Sequence, residues 1–457
     1  MMGFCRVRPA GAAGAALGPA LLLVLMVVGV LALPVSAPAG PPQWARSWDP
    51  RPGYDVFQVR IAAAPTADVY VATTPCSPAH QPCGIAVARY SDAGKRLWGT
   101  LLLKSVGSGL AAVASDPAGN LVVAGYAPAA AGGKDWWLAK VSPGGARVWS
   151  RRLAGVTGGV GEVTAVQTDA QGNIYACGRV VRSGIQTDAA LAKWDARGRH
   201  LWTKYLSGGA GDDDQASALA LDGRGRVYVT GHLREIATLD DVFVARYASN
   251  GHRDWLRTWN NRFADENDYA LGIAVSSSGA AVAGSTPGSW DSVYSVWDRD
   301  GLVLVFSPGG TLRWLYQEPG ALPWGGFSAP YIDAAGNVAA AGSITAGSPA
   351  DYKAMMIMLS PSGAVHYALW LPAGAARGSF NDLTRDGAAL VAAGSMQSSV
   401  SASADVLLSS VTPGMQSWVR TYDSRGGRDD VGTDVLCGSG GMYVGGAFGN
   451  RLGLVRF

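Results

Sequence analysis

One short phrase, an apolar-x-apolar stretch closed by Gly and preceded by a turn, recurs along this chain at nearly constant intervals. The clear copies are "GNLVVAG" (119–125), "GNIYACG" (172–178), "GRVYVTG" (225–231), "GNVAAAG" (336–342) and "GGMYVGG" (440–446). Looser copies are "ADVYVAT" (67–73), "GAAVAG" (279–284) and "GAALVAAG" (387–394). Their last residues, Thr73, Gly125, Gly178, Gly231, Gly284, Gly342, Gly394 and Gly446, stand 52, 53, 53, 53, 58, 52 and 52 residues apart. Such a period marks an array of like units, each of which buries its apolar faces only against its neighbours.

A second column runs in step with the first. An aromatic follows a Gly-bearing turn at Trp44, Trp98, Trp149, Trp202, Trp255, Trp314, Tyr367 and Trp418. Each unit holds four short runs rich in Val, Ile, Tyr and Trp, which in the third copy are "EVTAVQTD", "NIYACGRV", "AALAKWD" and "HLWTKYL". Runs of this length between Gly-rich turns read as antiparallel strands, labelled a to d here. The turns "DPAGN", "DAQGN" and "DAAGN" join a to b, and "SPGG", "DARG" and "ASNG" join c to d. Asp or Ser opens such a turn through its side chain, and Gly accepts the positive φ that closes it. No helix follows these glycines, so they do not form a phosphate-binding loop.

Eight four-stranded units of this size predict an all-β fold, an eight-bladed β-propeller in a single domain over residues 40–457. An open array would leave sheet edges exposed, and the two ends of the chain answer this. The last unit runs out after strand c, while "PQWARSWD" (42–49) supplies an unpaired strand d carrying Trp44. The N-terminal strand is therefore expected to complete the last blade and close the ring.

Ahead of this domain, Arg6 and Arg8 precede an apolar run, Ala20–Leu33, and Ala37-Pro38-Ala39 offers a small-x-small cleavage pattern. Residues 1–39 read as a signal peptide with a mature start near Gly40. An uncleaved membrane anchor is the alternative, because the apolar stretch counted from Ala16 is just long enough to span a bilayer. The expected location is secreted or cell envelope, or membrane-anchored with the propeller outside the cytoplasm. Net charge is only +3, two of it from the leader arginines, and no long basic run occurs. This gives no electrostatic footprint for nucleic acid. Cys76 and Cys83 bracket the Pro-rich loop "CSPAHQPC" and are the candidate disulfide. Cys177 and Cys437 read as buried thiols.

The pattern "LDGRGRVYVTG…DVFVARYASNG…W" resembles the secreted bacterial β-propeller repeat family, the SBBP repeats. The spacing Asp195-x-x-Gly198-x-x-x-Trp202 also resembles the tryptophan-docking motif of quinoprotein-type eight-bladed propellers. Both resemblances imply the ring architecture over the whole mature chain, and fold alone implies no function. Quinoprotein dehydrogenases of that superfamily use pyrroloquinoline quinone, calcium and an adjacent-cysteine disulfide. No two cysteines are adjacent here, and no calcium-ligand set matches residue by residue.

No G-x-S-x-G elbow occurs, and His80, His200, His232, His252 and His366 lack zinc-site spacing. A recurring Asp before strand c (Asp135, Asp188, Asp241, Asp300, Asp351, Asp405) reads as a loop cap. The a–b and c–d turns are uniform, whereas the d–a and b–c loops vary, and these share one face of a propeller. Variable loops on a rigid scaffold are where binding concentrates. Trp290, Tyr294 and Trp297 in "STPGSWDSVYSVWDRD" (285–300), with Trp324 and Phe327 in "PWGGF", are the candidate ligand platforms. Asp212, Asp213 and Asp214 in one acidic d–a loop, and Asp265 and Asp268 in another, are weak candidates for calcium, though they lack D-x-D-x-D-G spacing. No other cofactor is expected. The function expected is a non-catalytic binding or scaffolding module for a protein or polysaccharide. The alternative is an enzyme with a site in the axial funnel, quinone-dependent or carbohydrate-active, which a convergent acid pair of raised pKa would favour.

Overall fold

The computed structural model describes residues 6–9 and 42–457, apart from 78, 80, 131, 155–158, 184–185, 211–212, 262–265, 292–295, 319–324, 346–351, 372–376, 400–401, 413–417, 425–426, 439–440 and 450. Eight antiparallel sheets follow one another along the chain. Blade 1 consists of Asp55–Ala63, Val69–Cys76, Ile85–Tyr90 and Arg96–Leu103 as strands a to d. The remaining strands a are Gly109–Ser115, Gly161–Thr168, Gln215–Leu221, Tyr269–Ser276, Gly326–Ile332, Arg377–Asp386 and Asp430–Gly438, in blades 2 to 8. Each strand a touches strand a of the blades before and after it, and that of blade 8 touches that of blade 1. The inner strands thus form a closed ring. Among the described residues there is no helix long and apolar enough to cross a membrane.

Closure is the one expected. Trp44–Trp48 pairs antiparallel with Arg451–Arg456, with Trp44 opposite Arg456 and Trp48 opposite Leu452, and so becomes strand d of blade 8. Blade 5 carries in addition Arg6–Pro9 against its outer strand Leu312–Glu318.

The core is divided into eight wedges, one between each pair of neighbouring blades. Middle strands are therefore covered on both faces, and Val69–Cys76 is buried at every residue. The tryptophan column fastens each wedge at its outer rim. The indole N–H of Trp44, Trp98, Trp149, Trp202, Trp255 and Trp314 donates to a carbonyl in the c–d turn of the next blade, at Asp92, Pro143, Ala196, Ser249, Pro308 and Pro361. The turn glycine lies under the ring. At Gly310, where φ is +85°, a Cβ would sit 2.6 Å from the Trp255 indole. Burying an indole at ~25 cal/mol per Å² contributes a few kcal/mol per blade, so the repeated Trp is an inter-blade fastener.

The strand-b glycine has a different cause. A Cβ on Gly125, Gly178, Gly231, Gly284, Gly342, Gly394 or Gly446 would lie 1.8–2.1 Å from a carbonyl oxygen of strand a. A β-bulge in each strand a drives that carbonyl onto the glycine. Blade 1, with Thr73 at this position, is the exception.

Candidate functional site

The bulges also tie neighbouring blades together. Thr164 Oγ donates to Ala216 O at 2.7 Å, Asn381 Nδ2 to Gly432 O at 2.7 Å, and Thr433 Oγ to Val59 O at 2.8 Å. The last of these crosses the closing seam between blades 8 and 1. The inner hairpins are thereby held in register, which fixes what stands at each level of the wall.

At the loop-face end of the a–b hairpins the blades differ sharply. Blades 2 to 5 pair Gly109 with Tyr126, Glu162 with Arg179, Gln215 with His232 and Tyr269 with Ser285. Blades 6 and 7 pair Gly326 with Ser343 and Ser379 with Ser395. Large functional groups gather on one half of the mouth. Glu162 accepts from Lys134 Nζ and from Arg179, each at 2.7 Å. Burial pulls its pKa up, but these two hydrogen bonds outweigh it and hold Glu162 below the usual range. Lys134 lies over the Tyr126 ring at 4.3 Å. The His232 ring meets Asp213 O at 3.1 Å and packs edge-on against Tyr269 at 5.2 Å. Burial keeps His232 below its ordinary pKa, against the pull of Asp240. Arg299 covers Tyr269 at 5.1 Å and donates to Ser285 Oγ at 2.8 Å. The result is a half-buried array of cationic donors, one carboxylate and two aromatic rings supplied by four successive blades. Such pairs add little stability at partial exposure, and here they hold one another's orientation.

One level further along strand a, the residue after the bulge is Ala112, Ala165, Ala218, Gly272 and Ala329 in blades 2 to 6. In blades 7, 8 and 1 the same level holds Asp382, Asp434 and Arg60, opposite Ala393, Gly445 and Ala72. Asp382 accepts from Val435 N at 2.9 Å, and Asp434 from Ile61 N at 2.8 Å. Burial, then the Asp382 carboxyl that hydrogen-bonds it, lifts Asp434 well above the ordinary carboxylate range, while Arg60 pulls the other way. Burial and the neighbouring Asp382 carboxyl both favour the protonated form of Asp434. A convergent acid pair thus exists in the inner wall, with one oxygen of each member committed to the main chain of the next blade.

The residues singled out from the sequence fare differently. Phe327 is fully buried between blades 5 and 6, packed with Phe-facing partners such as Ile344 and Val303, so it is core and offers no platform. Residues 285–291 and 296–300 extend strands b and c of blade 5, and the backbones of Trp290 and Trp297 stand opposite each other. Tyr294 and Trp324 lie outside the described residues, as do the side chains of Trp290 and Trp297. Asp212 and Asp265 also lie outside them. Asp214 accepts from Arg234 N at 2.7 Å and Gly208 N at 3.0 Å, and Asp268 from Asn261 N at 2.8 Å and Thr286 Oγ at 2.6 Å. Both are fully buried loop ties, and burial raises Asp268 to about 6. Asp213 is exposed and bonds Thr187 Oγ at 3.3 Å. Among the described residues no three His, Cys, Asp or Glu side chains converge as a metal site. Asp135 and Asp188 pair with Arg152 and Arg182 of their own blades, at 3.2 and 2.9 Å.

The thiols of Cys76 and Cys83 are free and buried, which replaces the expected staple with backbone bonds. Cys76 stands opposite Pro82, and Cys83 N donates to Pro75 O at 2.8 Å. Cys83 therefore sits one residue out of step with Cys76, and successive side chains on paired extended segments point to opposite faces.

With this geometry in place, comparison with known proteins gives the following. The SBBP family model, described as a beta-propeller repeat, matches residues 201–232, from strand d of blade 3 to strand b of blade 4. No curated protein matches the sequence. Solved structures similar to the chain include the β-propeller domain of the Trilobed protease from Pyrococcus furiosus, at 7% identity and TM-score 0.43, covering 80% of this chain and 97% of that one. YCF48 bound to D1 peptide is similar at 10% identity and TM-score 0.44, over 93% and 97%. The periplasmic gluconolactonase PpgL of Pseudomonas aeruginosa is similar at 13% identity and TM-score 0.43, over 68% and 84%.

Proposed function

We propose that this β-propeller is an exported, non-catalytic binding module that engages a protein or glycan ligand on its d–a and b–c loop face. One observation carries the reading: Tyr126, Glu162, Arg179, His232, Tyr269 and Arg299 gather on the half of the mouth formed by blades 2 to 5, while the equivalent pairs opposite are Gly326 with Ser343, Ser379 with Ser395, Val431 with Ala447 and Phe57 with Thr74, which carry no charge. Donors, an acceptor and aromatic faces held within one half-buried surface suit hydroxyl-rich or peptide ligands. The test is a glycan array and an extended-peptide array probed with residues 40–457 and with an Arg179→Gln, Tyr269→Ala variant. Capture by the parent chain and loss in the folded variant is expected. Equal capture by both would overturn the reading.

A second reading, an enzyme with an axial site, is favoured by the neighbouring carboxyls of Asp382 and Asp434, since burial and Asp382 favour the protonated, proton-donating form of Asp434. Turnover of a hydrolase or lyase substrate panel that disappears in Asp382→Asn would select it.

A further inference from the structure

We propose that a pocket at the closing seam, walled by Phe57 and Arg428, binds a ligand that joins a flat apolar body to a single carboxylate. This goes beyond the mouth of blades 2 to 5, with which the pocket shares no residue.

The pocket originates in one exception to the repeat. Seven blades carry Gly where strand b meets the bulge carbonyl, and blade 1 carries Thr73. A Cβ there would strike the carbonyl as it would in the other blades, where it lies within 2.1 Å. In blade 1 the bulge accordingly falls one residue earlier, at Gln58, with Val59 opposite Thr73. Gln58 takes φ +56°, which is costly for a side-chain-bearing residue, and its carbonyl accepts from Thr73 Oγ at 2.9 Å. An early bulge re-aims the neighbouring side chain. Phe57 is 57% exposed at a mouth position that holds Gly109 in blade 2 and Glu162 in blade 3.

Phe57 opens onto a cavity of about 410 Å³ lined by Asp55, Val56, Cys76, Pro82, Arg428 and Gly449. That volume is within the range of small-ligand sites. All of these residues belong to d–a or b–c connections or to strand ends on the loop face, contributed by blades 8 and 1. The loop that presents Arg428 is pinned by its acids: Asp429 accepts from Ala404 N at 2.8 Å, and Asp430 from Gly449 N at 2.9 Å and Ser424 Oγ at 2.9 Å. Arg428 itself is exposed and makes no hydrogen bond or ion pair among the described residues. The pinned loop places the Arg428 backbone beside the cavity, and its guanidinium can offer a carboxylate two parallel N–H donors. The Phe57 ring and the Val56 and Pro82 side chains supply the apolar wall.

The carboxylate could be that of a free aromatic acid or the C-terminus of a peptide, and titration calorimetry on the full chain separates them. The probes are 3-phenylpropionate, acetyl-Gly-Gly-Phe with a free carboxylate, the same peptide amidated, and 2-phenylethylamine. One or both acids bind, and the amide and the amine bind at least tenfold more weakly; the peptide binding alone identifies a chain terminus as the source. Arg428→Gln and Phe57→Ala each weaken the acid at least tenfold with an unchanged melting temperature. Arg428 is on an exposed loop, so its variant decides the matter if Phe57→Ala fails to fold. Absence of binding by both acids at millimolar concentration overturns the proposal, as does unaltered binding by Arg428→Gln. Neither result bears on the mouth of blades 2 to 5.

Discussion

Gly225 and Gly310 offer a matched pair for measuring what the tryptophan column contributes. Both are turn glycines at positive φ, +72° in the a–b turn of blade 4 and +85° in the c–d turn of blade 5. Nothing lies within 4 Å of a Cβ at Gly225, whereas a Cβ at Gly310 would be 2.6 Å from the Trp255 ring. Alanine at Gly225 holds a left-handed backbone at a cost of about 1–2 kcal/mol, offset by about 0.4–1 kcal/mol from the stiffer unfolded chain. Alanine at Gly310 bears that same net cost and also displaces the indole. Overpacking of this kind costs about 1–3 kcal/mol. The displaced ring also weakens its 3.2 Å bond to Pro308 O and the 2.9 Å bond from Arg257 Nε to Gly310 O. Together these place Gly310→Ala roughly 2–4 kcal/mol below Gly225→Ala. Urea unfolding followed by tryptophan fluorescence and by far-UV dichroism reads the difference. In a Trp255→Ala background the extra cost at Gly310 should vanish, since the two sites act through one contact. Equal destabilisation by the two alanines, or an extra cost that survives removal of Trp255, would refute the fastening argument.

Asp434→Asn should change how stability depends on pH. A carboxyl raised in the fold above its unfolded value stabilises below the unfolded pKa and loses that contribution as pH rises through the folded one. The melting temperature of the parent should therefore fall relative to Asp434→Asn as pH rises above about 4, and a difference that stays constant with pH would exclude a raised Asp434. A chain starting at Pro50 lacks the outer strand of blade 8 and exposes Arg451–Arg456 as an edge. It should melt lower and self-associate by light scattering, and a monomer of unchanged stability would rule out the clasp. Because the thiols of Cys76 and Cys83 are free, a reducing agent should leave the melting temperature unchanged. A drop on reduction would show that a disulfide forms between them.

The architecture was legible because its signals are local and repeated. Asp116, Asp169 and Asp333 open their a–b turns by accepting from Asn120, Asn173 and Asn337, four residues downstream. Each such turn is written within five residues, and the recurrence counts the blades. The mouth was not legible in the same way. Tyr126, Arg179, His232 and Tyr269 are distributed over four repeats, and His232 read as an isolated histidine without ligand spacing. A signal was present in the residue after each strand-b glycine, which changes from Tyr126, Arg179 and His232 to Ser285, Ser343, Ser395 and Ala447. Phe327 misled because its neighbours Pro323, Gly325 and Gly326 look like a loop, whereas it begins a strand whose inward side fills an inter-blade wedge.

By itself, the sequence determined the number of blades, the strand order within each, the turn chemistry and the strand that closes the ring. Each of these follows from short-range backbone preferences and from a periodic apolar pattern that can be buried in only one way. Tertiary structure alone decided which side chains meet. Arg60 joins Asp434 only when blade 8 closes against blade 1, some 370 residues back along the chain. Phe57 faces a cavity only because Thr73, on the adjacent strand, displaces a bulge by one residue. Contacts of this kind depend on register across strands and on ring closure, and neither is encoded in any single stretch of residues.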